Sequence, residues 1–425
     1  MKYKSIRGME DILPEEAGRF RALEEKARRE LSLYGFMEIR TPILEGSDLF
    51  VRGIGDATDI VTKEMYTFSD RKGRSLTLRP EGTASVVRAY IEHSLDNVSP
   101  DMKLYYIGPM FRSERPQKGR SRQFHQVGAE IVGAASPYAD AELISQMDLM
   151  IAAFGVSGHT IKINSLGCPA DKAKFADSLR KYLTDKKAML CRDCNGRIDR
   201  NVLRTLDCKN DACKTVVKQA PSVCGCLCPD CRGHFQKLTD ALDRMGVKFI
   251  TAGHLVRGLD YYTGTVFEIT HPKLGGQDAM GAGGRYDKLV EDLGGPDMPA
   301  IGYALGIERI LIVLGDKYAG GQDTPQGSVY IATLGDSAKI EGMKLAVSIR
   351  SELGMVTQTD IREASLKAQF RAADKLGCKH VVVIGDDELK KEVFVLRDMS
   401  AKTQENVPRD RIVERLRSYR NKREE

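Results

Sequence analysis

Between Phe111 and Glu130 the chain reads FRSERPQKGRSRQFHQVGAE, which puts Arg112, Arg115, Lys118, Arg120 and Arg122 in one short stretch. An apolar run (Leu104 to Ile107, then Met110 and Phe111) leads in, and an alternating run (Phe124, Val127, Ala129, Ile131) leads out. Pro116-Gln117-Lys118-Gly119 is turn chemistry, so the spacing predicts a hairpin with a long basic loop. Arginines at the end of one strand and the acid Glu130 on the next suit a nucleotide phosphate beside a small polar ligand. Guanidinium groups make the charge-assisted, bidentate hydrogen bonds that such a task needs.

The cysteines form a second chemical cluster. Of ten, eight lie between Cys191 and Cys231, a concentration that argues for a metal and against disulfides. Cys191-Arg-Asp-Cys194 and Cys228-Pro-Asp-Cys231 are C-x-x-C knuckles, with Cys208, Cys213, Cys224 and Cys226 between them. Thiolate pairs at this spacing build tetrahedral structural zinc sites, so Cys191, Cys194, Cys228 and Cys231 are the expected ligands. Cys208 and Cys213 are the substitute pair. Reduced structural thiols and an iron–sulfur cluster are the alternatives. Cys168 and Cys378 read as isolated core thiols. Lone histidines are mostly packing or surface residues, so His125, His234 and His254 receive no role; His234, three residues after Cys231, is a minor ligand candidate.

Several elements must position these groups. Phe20, Leu23, Ala27, Leu31 and Tyr34 share one face of a helix over 15–34, which Gly35 suits as a C-terminal cap. Short strands are expected at 36–40, 65–68 and 75–78, and a helix starts near Thr83 after the Arg79-Pro80-Glu81-Gly82 turn. After a helical stretch at 139–154, residues 169–235 turn Cys-rich and basic, like an inserted module. Strands resume at 249–250, 255–256 and 266–269, and residues 301–314 run from a strand edge into an apolar helix. Gly320 to Pro325 is linker chemistry, and strand and helix then alternate in a compact α/β domain.

A length of 425 residues implies two to four domains, and 65 basic against 59 acidic residues give a mild net charge of +6. That excess is compatible with an RNA or nucleotide partner. Met1-Lys2-Tyr3-Lys4 lacks a signal-peptide core and no run approaches membrane-spanning length, so a cytoplasmic protein without a membrane partner is expected.

The motifs together resemble the histidyl-tRNA synthetases, a family of class II aminoacyl-tRNA synthetases. The first helix ending in Glu38-Ile39-Arg40-Thr41-Pro42 matches the first class II motif, the basic hairpin the second, and Gly306-Ile307-Glu308-Arg309 the third. Two longer segments are specific to the histidine enzymes: Leu255 to Gly264 (LVRGLDYYTG) and Gly281 to Asp287 (GAGGRYD). The resemblance implies an α/β (α+β) protein. A class II antiparallel sheet with flanking helices would fill 1–168 and 236–322, an inserted Cys-rich domain, with structural Zn2+, 169–235, and an anticodon-binding domain 325–425. Asn201-Val202 stands where many members have Asn-Pro.

The same resemblance implies the activity and its residues. ATP, with Mg2+, and L-histidine would form histidyl-adenylate and pyrophosphate, and histidine would then pass to the terminal adenosine of histidine tRNA. Arg112 and Arg257 would hold the α-phosphate from opposite sides, Arg309 the γ-phosphate end, and Arg120 the phosphates generally. Glu81, Thr83 and Gln126 would meet the ammonium of histidine. Glu130 and Tyr262 would meet its imidazole, with Tyr261 lining the pocket. Arg115 and Gln117 would touch the tRNA acceptor end, and the first motif would form a homodimer interface. The competing reading is a non-catalytic, histidine-binding regulatory subunit of ATP phosphoribosyltransferase. Such proteins typically lack the C-terminal domain and several of these arginines. A tRNA-sensing module without catalysis is a third reading, against which the intact arginine set also argues.

Overall fold

The computed structural model describes residues 3–56, 58–316, 318 and 328–421. It divides into two compact units, Met1–Gly320 and Gly321–Glu425. The expected linker at 320–325 lies outside the described residues.

An eight-stranded sheet forms the base of the first unit. Its spatial order is Met37–Glu38, Met102–Phe111, Gln123–Val132, Ala300–Gly306, Ala279–Arg285, Thr263–Thr270, Thr160–Ser165 and Phe249–Thr251. Six strands are antiparallel and one parallel strand closes each edge. The long hairpin pairs Met102 with Val132 and Phe111 with Gln123, and a bridge between Gln117 and Arg120 ties its tip. The amphipathic helix Pro14–Leu33 buries Phe20, Leu23, Ala27 and Leu31 in a core shared with Val127, Ile131 and Leu305. Pro at its first turn and Glu15 and Glu16 beside it suit a helix start.

The Cys-rich segment supplies the helices Pro169–Thr184, Arg192–Arg200, Asp211–Val217 and Pro229–Arg244. Its apolar face is not an independent core. Phe175, Leu179, Ile198, Val216 and Val223 join one cluster with Tyr261, Tyr262 and Tyr286. The boundary expected at 235 falls inside the helix Pro229–Arg244, because the change in composition comes earlier than the change in structure. Leu255 and Val256 are irregular, not a strand; His254 Nε2 bonds Ala220 O and Leu255 N–H donates to Ala252 O, which turns the chain there.

The second unit is a five-stranded sheet with the parallel strands Thr357–Thr359, Val329–Thr333 and His380–Ile384, followed by the antiparallel strands Val393–Asp398 and Gln404–Pro408. The helices Asp336–Leu353 and Ile412–Asn421 cover one apolar cluster, and Leu366–Lys375 another.

Tyr106 explains two glycines next to the site. A Cβ on Gly82 would stand 2.3 Å from its ring, and one on Gly128 would stand 2.1 Å from it. Tyr106 is 3% exposed and cannot swing away. Gly128→Ala should therefore cost about 1–3 kcal/mol through overpacking. Thermal melting followed by circular dichroism should show a midpoint several degrees lower, and an unchanged midpoint would mean that the ring yields freely.

Candidate functional site

The centre of the site is a carboxylate buried in the sheet. Glu130 is 0% exposed, facing Leu104 on one neighbouring strand and Gly302 on the other. A Cβ on Gly302 would lie 1.5 Å from Glu130 Oε2, so glycine there makes room for the side chain. Thr83 Oγ1 donates to Glu130 Oε1 at 2.6 Å and Tyr286 Oη donates to Oε2 at 2.5 Å. Burial pushes the Glu130 carboxyl up to about 8, against those two hydroxyls, with Glu81 adding repulsion.

Glu81 sits in the turn before the helix Thr83–Glu92, where its carboxylate accepts the N–H groups of Thr83 at 2.6 Å and Ala84 at 2.8 Å. Free N–H groups at a helix start explain that seat. Burial raises its pKa even so. Tyr261 and Tyr262 pack with ring centroids 4.7 Å apart and planes tilted by 52°, and Tyr286 meets Tyr261 edge-on at 5.6 Å. Burial pushes the Tyr262 hydroxyl up to about 12, while Arg257 pulls it down. Gln126 Oε1 is buried with no hydrogen-bond partner among the described residues. The result is a buried group of two carboxylates and phenols, with an unpaired amide oxygen on the same face of the Gln123–Val132 strand as Glu130, suited to a ligand with cationic or N–H donor groups.

The arginines lie around this pocket. Arg112 Nε donates to Pro80 O at 2.9 Å, next to Glu81, and its guanidinium covers the Phe124 ring at 5.4 Å. Arg257 Nη1 bonds Glu268 at 2.7 Å while its Nε is buried without a partner among the described residues. Arg120 pairs with Glu114 at 2.5 Å. Arg309 is fixed by three carbonyls, those of Gly119 at 3.1 Å, Gln277 at 2.8 Å and Ala279 at 2.5 Å. Burial and then the Arg120 charge lower its pKa, so this end of the site holds surplus positive charge. Glu308, beside Arg309, accepts His125 N–H at 2.8 Å and bonds its Nδ1 at 2.9 Å, which locks the third motif to the hairpin. Arg115 and Gln117 are exposed on the hairpin loop, apart from the buried groups.

The cysteines divide differently from the expected quartet. Cys191, Cys194, Cys208 and Cys213 have their sulfurs within 4.8 Å of one another, while Cys228 and Cys231 gather with Cys168 and Asp171. The two knuckles therefore belong to separate groups, and Cys168 is no isolated core thiol. The fold sends the chain between the knuckles back on itself through the helix Asp211–Val217, which delivers Cys213 to the first pair. His234 bonds the buried Asp140 at 2.9 Å and joins neither group. All ten cysteines are free thiols.

The family profile described as Histidyl-tRNA synthetase matches residues 8–310. The chain belongs to the histidyl-tRNA synthetase family. The profile described as Anticodon binding domain matches residues 328–419. A histidine–tRNA ligase of Thermodesulfovibrio yellowstonii is 46% identical over 98% of this chain and 99% of its own length. One from Aquifex aeolicus is 46% identical over 96% of this chain and 99% of its own. Among solved structures, apo histidyl-tRNA synthetase of S. aureus aligns with a TM-score of 0.81 at 35% identity, over 98% of this chain and 100% of that one. A protein titled ATP phosphoribosyltransferase regulatory subunit/histidyl-tRNA synthetase, from Bacillus halodurans, shares the fold at 21% identity and a TM-score of 0.66, covering 91% of this chain and 99% of its own.

Sequence reasoning missed four residues of this family member's site. Tyr286, inside the GAGGRYD segment, grips Glu130; Glu268 and Glu114 balance Arg257 and Arg120; Tyr106 forms the floor at Gly82 and Gly128. A strand acid two turns of pleat beyond the LVRGLDYYTG segment is the only trace of Glu268 in the sequence.

The Glu130 carboxyl has an ordinary pKa of 4.5 and one of about 8 in the folded chain. Between those values the unfolded chain releases a proton that the folded chain keeps, so this residue's contribution to stability is lost as pH rises and is flat above about 8. Glu130→Gln removes that loss. Without histidine, its melting temperature should gain on the parent's between pH 6 and pH 9, a window that spans the folded-state value of about 8. An equal difference at both pH values would mean that Glu130 is ionised in the empty pocket.

Proposed function

We propose that this chain attaches L-histidine to histidine tRNA in two steps. The histidine carboxylate attacks the α-phosphorus of ATP in line; a carboxyl oxygen–phosphorus bond forms, and the bond to pyrophosphate breaks. A hydroxyl of the terminal adenosine of the tRNA then attacks the histidyl carbonyl, and AMP leaves. The observation that carries this reading is the buried group of Glu130, Glu81 and packed tyrosines bordered by Arg112 and Arg257, in a member of this family.

Histidine is a good match for that pocket. Its ammonium meets Glu81, Thr83 and the unpaired Gln126 oxygen, and its ring N–H groups meet Glu130 and Tyr262. A site whose buried polar groups need these partners rejects an amino acid that lacks them. Arg112 and Arg257 neutralise charge as it develops on the α-phosphate, and Arg120 and Arg309 hold the far phosphates. The ion pairs to Glu114 and Glu268 keep Arg120 and Arg257 in place until phosphate competes for them. Magnesium carried with ATP supplies further neutralisation, and Glu114 and Glu268 are oxygen donors of the right hardness to hold it.

Further parts follow from the same reading. Arg115 and Gln117, exposed on the loop, reach the acceptor end of the tRNA, since arginine reads guanine edges bidentately. Leu33, Met37, Ile43 and Leu44 are exposed by 70%, 51%, 43% and 38% around the first motif, an apolar surface suited to a homodimer. The chain works in the cytoplasm, where its thiols stay reduced. Zinc suits Cys191, Cys194, Cys208 and Cys213, two of them fully buried, and bound there it supplies bracing rather than catalysis.

Retention of Arg112, Arg257 and Arg309, together with the second unit, favours the enzyme over the regulatory subunit. Arg257→Ala should keep the fold by circular dichroism and lose histidine-dependent ATP–pyrophosphate exchange by about 100- to 1000-fold. Near-parental exchange in that variant would remove Arg257 from the chemistry. In the parent protein, histidine binding without exchange would support the regulator instead.

A further inference from the structure

The group formed by Cys168, Asp171, Cys228 and Cys231 has the properties of a metal site in its own right. Its ligand atoms, three sulfurs and a carboxylate oxygen, lie within 4.8 Å of one another. An ion about 2.3 Å from sulfur and about 2.0–2.2 Å from oxygen fits a tetrahedron of that size. Cys168 is the N-cap of the helix Pro169–Thr184, and Cys228 the N-cap of Pro229–Arg244. Two helix starts therefore offset the excess negative charge of such a ligand set.

The backbone is arranged for thiolates. Cys231 N–H donates to Cys228 Sγ at 3.5 Å, and Cys168 N–H to Cys231 Sγ at 3.2 Å. The four-cysteine group repeats the pattern, with Cys194 N–H to Cys191 Sγ at 3.5 Å and Cys191 N–H to Cys213 Sγ at 3.2 Å. In both groups, backbone donors thus face sulfurs of the ligand set, as the groups around a metal's ligands do.

Asp171 gives an independent observation. It is 5% exposed, its Oδ1 accepts Cys228 N–H at 3.0 Å, and its buried Oδ2 has only the thiols of Cys168, Cys228 and Cys231 as neighbouring donors. Thiols are weak donors, so a buried carboxylate oxygen faced by them is poorly compensated, and a cation removes the cost. Gly167 makes room for it, since a Cβ there would lie 2.5 Å from Asp171 Cβ and 2.6 Å from Oδ2. A cavity of about 330 Å³, lined in part by Cys168, Cys231, His234 and Arg285, opens beside the group and gives an ion a route in.

We propose that Cys168, Asp171, Cys228 and Cys231 bind a divalent transition metal, zinc by its donor set, at a second site separate from the four-cysteine one, and that this ion fixes the loop bearing Tyr261 and Tyr262. The residues on either side of the ligands hold that loop. Lys172 Nζ donates to Asp260 O at 2.9 Å and Tyr262 O at 3.1 Å. Gly167 O accepts Gly264 N–H at 2.9 Å, and Leu166 N–H donates to Gly264 O at 2.6 Å. The existence of the site is independent of the proposed activity; its effect on histidine rests on that reading.

Elemental analysis of the full chain purified without chelator should give two zinc ions per chain. Cys168→Ser and Asp171→Asn should each give one, and so should Cys208→Ser. Cobalt substituted into Cys208→Ser should show weaker thiolate charge-transfer absorption per ion than cobalt in Asp171→Asn, because three sulfurs bind it instead of four. In pyrophosphate exchange, Cys168→Ser should raise the KM for histidine on the order of tenfold through misplacement of the tyrosines, with the KM for ATP unchanged. One ion per parent chain overturns the second site whether or not the variants fold. Two ions with an unmoved histidine KM in Cys168→Ser overturn the link to the loop.

Discussion

Glu130 lies at 0% exposure in the middle of an antiparallel sheet, and no cationic side chain among the described residues pairs with it. Water cannot solvate a carboxylate there, and only two hydroxyls compensate it, so the empty pocket holds a proton on it near neutral pH. Much of the catalytic unit follows from accommodating this one group. Gly302 clears space across the strand, Gly82 and Gly128 let the Tyr106 ring lie flat beneath, and Tyr286 is brought from a neighbouring strand end to meet the acid. A ligand that carries its own N–H donors or positive charge completes an arrangement the protein leaves incomplete.

The opposite electrostatic imbalance holds at the end where the arginines gather. Burial and then the Arg120 charge lower the pKa of Arg309, and Glu114 and Glu268 are already committed to ion pairs with Arg120 and Arg257. Buried acids that need a donor or a cation thus sit at one end of the site, and crowded guanidinium groups at the other. An amino acid and a polyphosphate are the complementary pair, which makes the site preorganised for a reaction that joins them.

The Cys-rich segment is bound into this machinery through polar contacts as well as apolar packing. Arg204 reaches Gly258 O at 2.8 Å and Asp59 at 2.6 Å, Asn201 reaches Asp260 at 2.9 Å, and Lys172 holds the two carbonyls beyond. All of these fall on the stretch that carries Arg257, Tyr261 and Tyr262 or on its neighbours. Helices with short, basic, Cys-rich sequences have little core of their own, so these contacts and the shared apolar cluster hold the segment against the sheet.

What the sequence alone determined was local or collinear. The helix 14–33 follows from apolar spacing, the hairpin from turn residues between two apolar runs, and the histidine-family motifs from residues adjacent in the chain. Those features depend on near neighbours, and near neighbours are legible. The partners of each charged group were decided by the tertiary structure. Tyr286 against Glu130 and Glu268 against Arg257 arise from strand order. The assignment of six of the eight clustered cysteines to two groups, with Cys168 and Asp171 recruited from outside the cluster and Cys224 and Cys226 in neither, depends on how helices fold the chain back. Spacing identifies a knuckle but leaves its partner open, because four ligand positions converge in space by a path that local sequence does not encode.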